Sequence, residues 1–280
     1  MSRAFGRILT AMTAKIAPYK HVVLIGVDGM GAYCKNADVK NINRIFEHGA
    51  VTYECSSVYR TVSAQCWGSM LMGVAPETHG LTNQKLINEE NIDGCPTVFR
   101  IIHEAFPDSH SASFCCWNPI NHGIVEDLPS LTREKVGDDA AAARVEEYIR
   151  ERGVPALLFI QMNRIDASGH KYGYGTPDYL RDVEEADSYV GDVYSVYERA
   201  GVLSETLFIV TADHGGIEKT HGGGSPEEMN VFFGAAGHNV RNVTIERMCI
   251  QDIPAIIAYA LGAPSPSHWA SSVPPDMFEN

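Results

Sequence analysis

The 280-residue sequence has no stretch able to cross a bilayer as a helix; its longest apolar run, around "IPAIIAYALGA", is far too short. It has no internal repeat and no low-complexity tract. With 45% hydrophobic and 20% charged residues, it is neither a disordered chain nor a solenoid. Positive charge is scarce: 22 Lys and Arg stand against 35 Asp and Glu, for a net charge of −13. Such a surface repels polyanions, so no stable nucleic-acid binding is expected. A small phosphorylated substrate is not excluded, because a bound metal reverses the local field. There is no C-x-x-C, and the seven cysteines (34, 55, 66, 95, 115, 116 and 249) are odd in number and irregularly spaced. A disulfide framework and a thiolate zinc site are both poor fits, and reduced, mostly buried thiols in the cytoplasm are expected. The N-terminal "MSRAFGRILTAMTAKIAPYK" scatters its basic residues and lacks the continuous apolar core of a signal peptide.

What is present is a set of short apolar runs rich in β-branched residues: 21–29, 111–117, 155–162, 206–215 and 230–236. Runs of this kind suit strands covered on both faces. Helix-like segments lie between them. Over 177–200, Thr176 suits the N-cap, Pro177 the first helical position and Gly201 the stop. A second helix is expected over 138–151. The alternation predicts an α/β fold, doubly wound, with a mostly parallel sheet and helices on both faces. One domain is expected over 1–280, with any small cap or insertion within 84–130.

Ligand-like side chains gather where the strands end, which is where open α/β sheets build their sites. Asp28 closes "IGVDG"; Asp166 and His170 follow the 155–162 run in "NRIDASGH"; Asp213 and His214 close "VTADHGG"; His221 comes seven residues after His214, in "KTHGGG". Singly, each has a plain alternative as a helix cap, a turn residue or a hydrogen-bonding His. For Asp166 and His170 that alternative is an i, i+4 pair on an ordinary helix, which Gly169 and Gly173 argue against. Together, three carboxylates and three imidazoles suit Zn²⁺, Mn²⁺ or Fe²⁺. They are too many for one tetrahedral ion and about right for two, an arrangement that favours in-line displacement at phosphorus. Such chemistry wants a nucleophile, and "YRTVSAQCWGSMLMG" (59–73) offers Thr61, Ser63 and Cys66.

The motifs resemble the alkaline phosphatase superfamily, and within it the nucleotide pyrophosphatase/phosphodiesterase branch. The resemblance rests on "VDG" (27–29), "MGVAPETHG" (72–80), "DASGHKYG" (166–173), "TADHGG" (211–216) and "HGGGSPEEMNVFFGAAG" (221–237), in that order. It implies one metal site made by Asp166, His170 and His221, and another made by Asp28, Ser63, Asp213 and His214. Two zinc ions are usual in related enzymes, and manganese serves in some. The nucleophile of such enzymes lies ten residues before the Gly that precedes P-E-x-H-G; here that Gly is Gly73, which selects Ser63 over Thr61 and Cys66. Ser63 opening a helix would also turn free backbone N–H groups toward the phosphoryl oxygens. The branch places an Asn about twenty residues further on, against a non-bridging oxygen; Asn83 matches by residue type and Gln84 by register, and Asn83 is preferred. His79 matches a structural residue. The chain is short for the family, so any cap would be small.

Two departures stand out. The branch has Thr-Phe-Pro-Asn where this chain has Ser63-Ala64-Gln65, and serine is the nucleophile of the superfamily's phosphatases and mutases. A sulfatase needs Pro and Arg after the modified residue, and both are absent. The expected function is therefore a two-metal hydrolase of phosphoric ester or phosphoanhydride bonds, phosphodiesterase-like, acting through a phosphoseryl intermediate. The alternatives are a phosphomonoesterase or phosphonate hydrolase of the same superfamily, and an inactive metal- or ligand-binding relative.

Overall fold

The computed structural model describes residues 17–88 and 95–279. Most of the N-terminal segment read above, up to residue 16, lies outside the described residues. So does 89–94, inside the region expected to hold a cap.

Eight strands form one sheet: β1 (His21–Val27), β2 (Ala50–Ser56), β3 (Ser111–Cys115), β4 (Leu131–Lys135), β5 (Leu157–Met162), β6 (Thr206–Thr211), β7 (Asn230–Ala236) and β8 (Val243–Thr244). Their spatial order is β4-β3-β5-β1-β6-β7-β2-β8. β7 runs antiparallel to both neighbours, and the other pairings are parallel. The expected mostly parallel α/β sheet is what forms.

The five apolar runs became β1, β3, β5, β6 and β7. β1, β5 and β6 are central and buried almost throughout, which is why their sequences show no alternation. The strands absent from the sequence reading are the peripheral ones. β2 alternates between buried and half-buried positions, β4 ("LTREK") is a polar edge, and β8 has two residues.

Helices cover both faces, and one register pair shows it. Val23 and Gly26 on β1 are three positions apart and so face opposite ways. On the Gly26 side lies the helix Ser63–Met72: a Cβ on Gly26 would come within 2.3 Å of the Trp67 indole. On the Val23 side, Phe208 of β6, which pairs with Val23, meets Tyr194 and Tyr197 of the helix Pro177–Arg199 at ring-centroid distances of 5.1 and 6.5 Å. That long helix begins as expected, with Thr176 Oγ1 accepting from the Tyr179 N–H. The helix expected over 138–151 is a 3₁₀ turn, Asp138–Ala140, running into an α-helix, Ala141–Arg152.

Any small cap is expected within 84–130, a stretch that also holds the strand expected at 111–117. In its described residues, 84–130 supplies the core strand β3 and the helix Val98–Ala105, whose Val98, Phe99 and Ile102 are buried. Among the described residues no helix is long and apolar enough to cross a membrane.

Asp166 and His170 do share a regular helix, Arg164–Tyr172, against the expectation drawn from Gly169. Gly169 is there because the Tyr174 ring packs on the helix: a Cβ would lie 2.4 Å from it. Asn163, at the N-cap, makes no cap bond of its own. Asp138, 25 residues upstream, does that work by accepting from the Asn163 and Arg164 N–H groups at 3.0 and 2.9 Å. Asp138→Ala is therefore expected to destabilise the protein by about 1–2 kcal/mol, read as a shift in the urea midpoint at constant slope.

Candidate active site

The carboxyl ends of β1, β5 and β6 deliver the polar residues to one place. Asp28 extends β1 by one ladder bond, its N–H donating to Met162 O at 2.9 Å. Asp213 and His214 follow β6, and Ser63 opens the helix lying over Gly26. Asp28, Ser63, Asp213 and His214 are all buried. His214 Nε2 lies 3.2 Å from Ser63 Oγ, 3.3 Å from Asp213 Oδ2 and 3.5 Å from Asp28 Oδ1.

A second set adjoins the first. His170 Nε2 is 3.2 Å from His221 Nε2 and 3.5 Å from Asp166 Oδ2, while His221 Nε2 is 3.6 Å from Asp166 Oδ1. The His214 and His221 rings stack at 3.9 Å and join the sets. The ligand atoms of Asp166, His214 and His221 also fall within 4.8 Å of one another. Every residue expected at a metal site is thus brought together.

The far side of each of these groups is held by the protein. The three Nδ1 atoms each face a backbone carbonyl: His214 on Gly215 O at 2.9 Å, His221 on Thr61 O at 2.7 Å, His170 on Lys219 O at 2.9 Å. A carbonyl only accepts, so Nδ1 carries the proton and Nε2 presents a lone pair inward. Asp28 Oδ2 accepts from Trp67 Nε1 and Gln161 Nε2 at 3.1 and 3.0 Å; Asp213 Oδ1 accepts from the Gly29 and His214 N–H groups at 3.1 and 2.8 Å. Asp28 Oδ1 and Asp213 Oδ2 are buried with no hydrogen-bond partner.

The centre of the site is therefore a crowd of electron-pair donors, with the Ser63 hydroxyl as the proton donor facing His214. Orphaned carboxylate oxygens and facing imidazole lone pairs fit a divalent cation of the oxygen- and nitrogen-binding kind. Burial, and then the charges of Asp213 and Asp166, push the Asp28 carboxyl well above the usual range; burial does the same to Asp213. Burial and the neighbouring His214 push His221 down to about 4, which leaves its imidazole neutral and able to ligate.

Three candidates for the nucleophile become one by position. The Cys66 thiol is fully buried, which pushes its pKa well up, and it lies against Ser57. Thr61 is locked: its Oγ1 donates to Gly223 O and accepts from the Gly222 N–H, both at 2.9 Å. Ser63 is the one that faces the ligand groups.

Asn83 Oδ1 accepts from the Ala64 N–H at 2.9 Å, beside Ser63, while Gln84 turns away to Asn88. The expectation of free helix-end N–H groups needs correcting: Ala64 is taken by Asn83, and Gln65 and Cys66 both donate to Val62 O. Both ring nitrogens of His79 are engaged, by Ser69 and the Leu81 N–H, as suits a structural residue.

Sequence reasoning missed the supporting residues Thr61, Trp67, Gln161 and Tyr174. Gln161 had a signal, as the polar residue within "LLFIQM". Tyr174, which donates to Asp166 Oδ1 at 2.6 Å, had none.

Comparison with known proteins identifies the family and the fold. The family model described as type I phosphodiesterase / nucleotide pyrophosphatase matches residues 22–247. Bovine (Bos taurus) bis(5′-adenosyl)-triphosphatase ENPP4 is 24% identical over 221 residues, covering 69% of this chain and 47% of the relative. The GPI ethanolamine phosphate transferase 1 of Gibberella zeae is 25% identical over 167 residues, covering 50% of this chain and 17% of the relative. The chain thus spans about half or less of these relatives' length. Murine ectonucleotide pyrophosphatase / phosphodiesterase 5, solved as an inactive variant in complex with AMP, shares the fold at a TM-score of 0.76. It is 15% identical, over 89% of this chain and 96% of that one.

The raised carboxyl pKa values of Asp28 and Asp213 contribute stability to the metal-free fold at low pH. That contribution is lost as pH rises from about 4, the unfolded value, through the raised folded ones. The melting temperature of EDTA-treated protein should fall over this interval, and the fall should flatten in an Asp28→Asn/Asp213→Asn variant. The stabilisation by added Zn²⁺ should grow with pH, because binding displaces protons.

Proposed function

Since the chain belongs to the type I phosphodiesterase / nucleotide pyrophosphatase family, we propose that it hydrolyses phosphodiester or nucleotide pyrophosphate bonds through a phosphoseryl intermediate on Ser63. The observation that carries this is the Ser63 hydroxyl, 3.2 Å from His214 Nε2 and set against the orphaned oxygens of Asp28 and Asp213.

Asp28, Asp213, His214 and Ser63 would hold one divalent ion, and Asp166, His170 and His221 a second. Zinc is the proposed metal, and manganese is compatible with the same donors. Bound there, the ions supply positive charge at the oxygens that enter and leave phosphorus.

The chain's own residues do the rest. Ser63 Oγ attacks phosphorus as its proton passes to solvent; the new O–P bond forms as the bond to the leaving oxygen breaks on the opposite side, and that oxygen takes up a proton from solvent. The Asn83 amide, with its oxygen already bound to the Ala64 N–H, keeps its N–H₂ for a non-bridging phosphoryl oxygen. Water then attacks the phosphoseryl group and restores the Ser63 hydroxyl. Trp67 and Gln161 keep Asp28 aimed inward through both steps.

A diester or anhydride is favoured over a monoester, whose extra charge calls for a cation. Nearby lysines are committed elsewhere: Lys85 Nζ donates to Gly80 O at 2.7 Å, and Lys219 Nζ to Lys171 O at 2.9 Å. The dinucleotide-cleaving name of the bovine relative and the AMP bound to the murine one support a nucleotide as substrate.

Ser63→Ala should lower turnover of bis-p-nitrophenyl phosphate by about 10³-fold or more. It should lower turnover of a nucleoside p-nitrophenyl ester equally, and Thr61→Ala should cost less. Two in-line displacements also predict retention at phosphorus on a chiral phosphorothioate diester; inversion there, or full activity in Ser63→Ala, would refute the covalent route.

A further inference from the structure

The three carboxylates of the site are held in different ways. Asp28 is held by an indole and an amide N–H, and Asp213 by two backbone N–H groups. Asp166 is held by the phenol of Tyr174, at 2.6 Å from its Oδ1, which leaves Oδ2 toward His170. That phenol is fixed in place. Its ring fills a slot between two glycines: a Cβ on Gly169 or Gly216 would come within 2.4 or 2.5 Å of it. The ring also meets the buried Tyr179, at 5.4 Å between centroids, and the Tyr179 hydroxyl donates to Gly29 O at 2.8 Å, in the turn that follows Asp28.

Tyr174 is also tied to the other two residues of the Asp166 set. Its backbone N–H donates to Glu218 O at 2.7 Å, and Glu218 holds a left-handed φ of 52°. The next residue, Lys219, supplies the carbonyl that fixes His170, and the same loop leads to His221, whose ring lies 6.4 Å from that of Tyr174. One residue thus touches Asp166 through its hydroxyl and, through its backbone, holds the loop that carries His221 and supplies the carbonyl facing His170.

We propose that Tyr174 is the positioning residue of the Asp166/His170/His221 set, and that its hydroxyl fixes the orientation of the Asp166 carboxylate toward the ion held there. This rests on the metal-site assignment made under the proposed function. The site built on Asp28, Asp213 and His214 does not depend on the phenol. The hydroxyl therefore sets the affinity of one ion and leaves that of the other unchanged.

Tyr174→Phe isolates the effect, because it keeps the ring, the backbone bond and the glycine-lined slot. Calorimetric titration of the EDTA-stripped protein with Zn²⁺, and separately with Mn²⁺, should show one equivalent bound as in the wild type. The other should weaken by about 10–100-fold, the usual cost of losing a group that orients a ligand. The melting temperature in EDTA should stay at the wild-type value. Wild-type affinity for both equivalents would overturn the proposal. So would a fall in the EDTA melting temperature that accounts for the loss, since it would make the effect one of packing. Asp166→Asn, titrated alongside, separates this inference from its foundation. If Asp166→Asn loses one equivalent while Tyr174→Phe keeps both, only the role of Tyr174 fails; if Asp166→Asn also keeps both, the metal-site assignment itself fails.

Discussion

The site depends on lone pairs facing lone pairs. Two buried carboxylate oxygens without partners and three imidazole Nε2 atoms converge within a few ångströms of one another. Burying such groups unpaired costs free energy, and burying them as anions costs more. The fold bears that cost because the opposite edge of each group is tied down by Trp67, Gln161, Tyr174, backbone N–H groups or backbone carbonyls. The arrangement suits a cation, whose binding would displace protons.

Tight packing supplies this rigidity. Gly26 lets an indole lie directly on the central strand, which sets Trp67 Nε1 against Asp28 and places the helix opened by Ser63 over the sheet. Gly169 lets Tyr174 lie on the helix that carries Asp166 and His170. Thr61, two residues from Ser63, is spent on the glycine loop beyond His221, and its carbonyl faces His221 Nδ1, so the segment bearing Ser63 and the loop bearing His221 are tied together. That use of Thr61 also explains why a hydroxyl so close to Ser63 takes no part in the chemistry proposed here.

Membership of the phosphodiesterase family accounts for the ligand set, while the residues around Ser63 are this chain's own. Ala64 and Gln65 stand where the branch usually has Phe and Pro, and the Ala64 N–H is closed off by Asn83 rather than open to a substrate. The donor proposed for a phosphoryl oxygen is therefore the Asn83 side chain. Asn83 and Gln84 were inseparable by spacing; one side chain faces Ser63 and the other faces Asn88.

Much was legible without coordinates, for identifiable reasons. The central strands are buried on both faces, so β1, β5 and β6 had to be written as mostly apolar runs without alternation, and the carboxylates and imidazoles at their ends then read as one constellation. β2, β4 and β8 were not legible, because edge and half-buried strands carry little apolar signal. Gly169 misled in the same local way: it spoke against a helix when its cause was the ring of Tyr174, five residues on and folded back onto that helix. The sequence by itself determined which residue types could ligate and where along the strands they fell, since both follow from local periodicity. Tertiary structure alone decided which oxygen of each carboxylate is free, which nitrogen of each histidine faces inward, and that Tyr174 holds Asp166. Those choices are made by hydrogen bonds between segments far apart in the chain, and no local pattern encodes them.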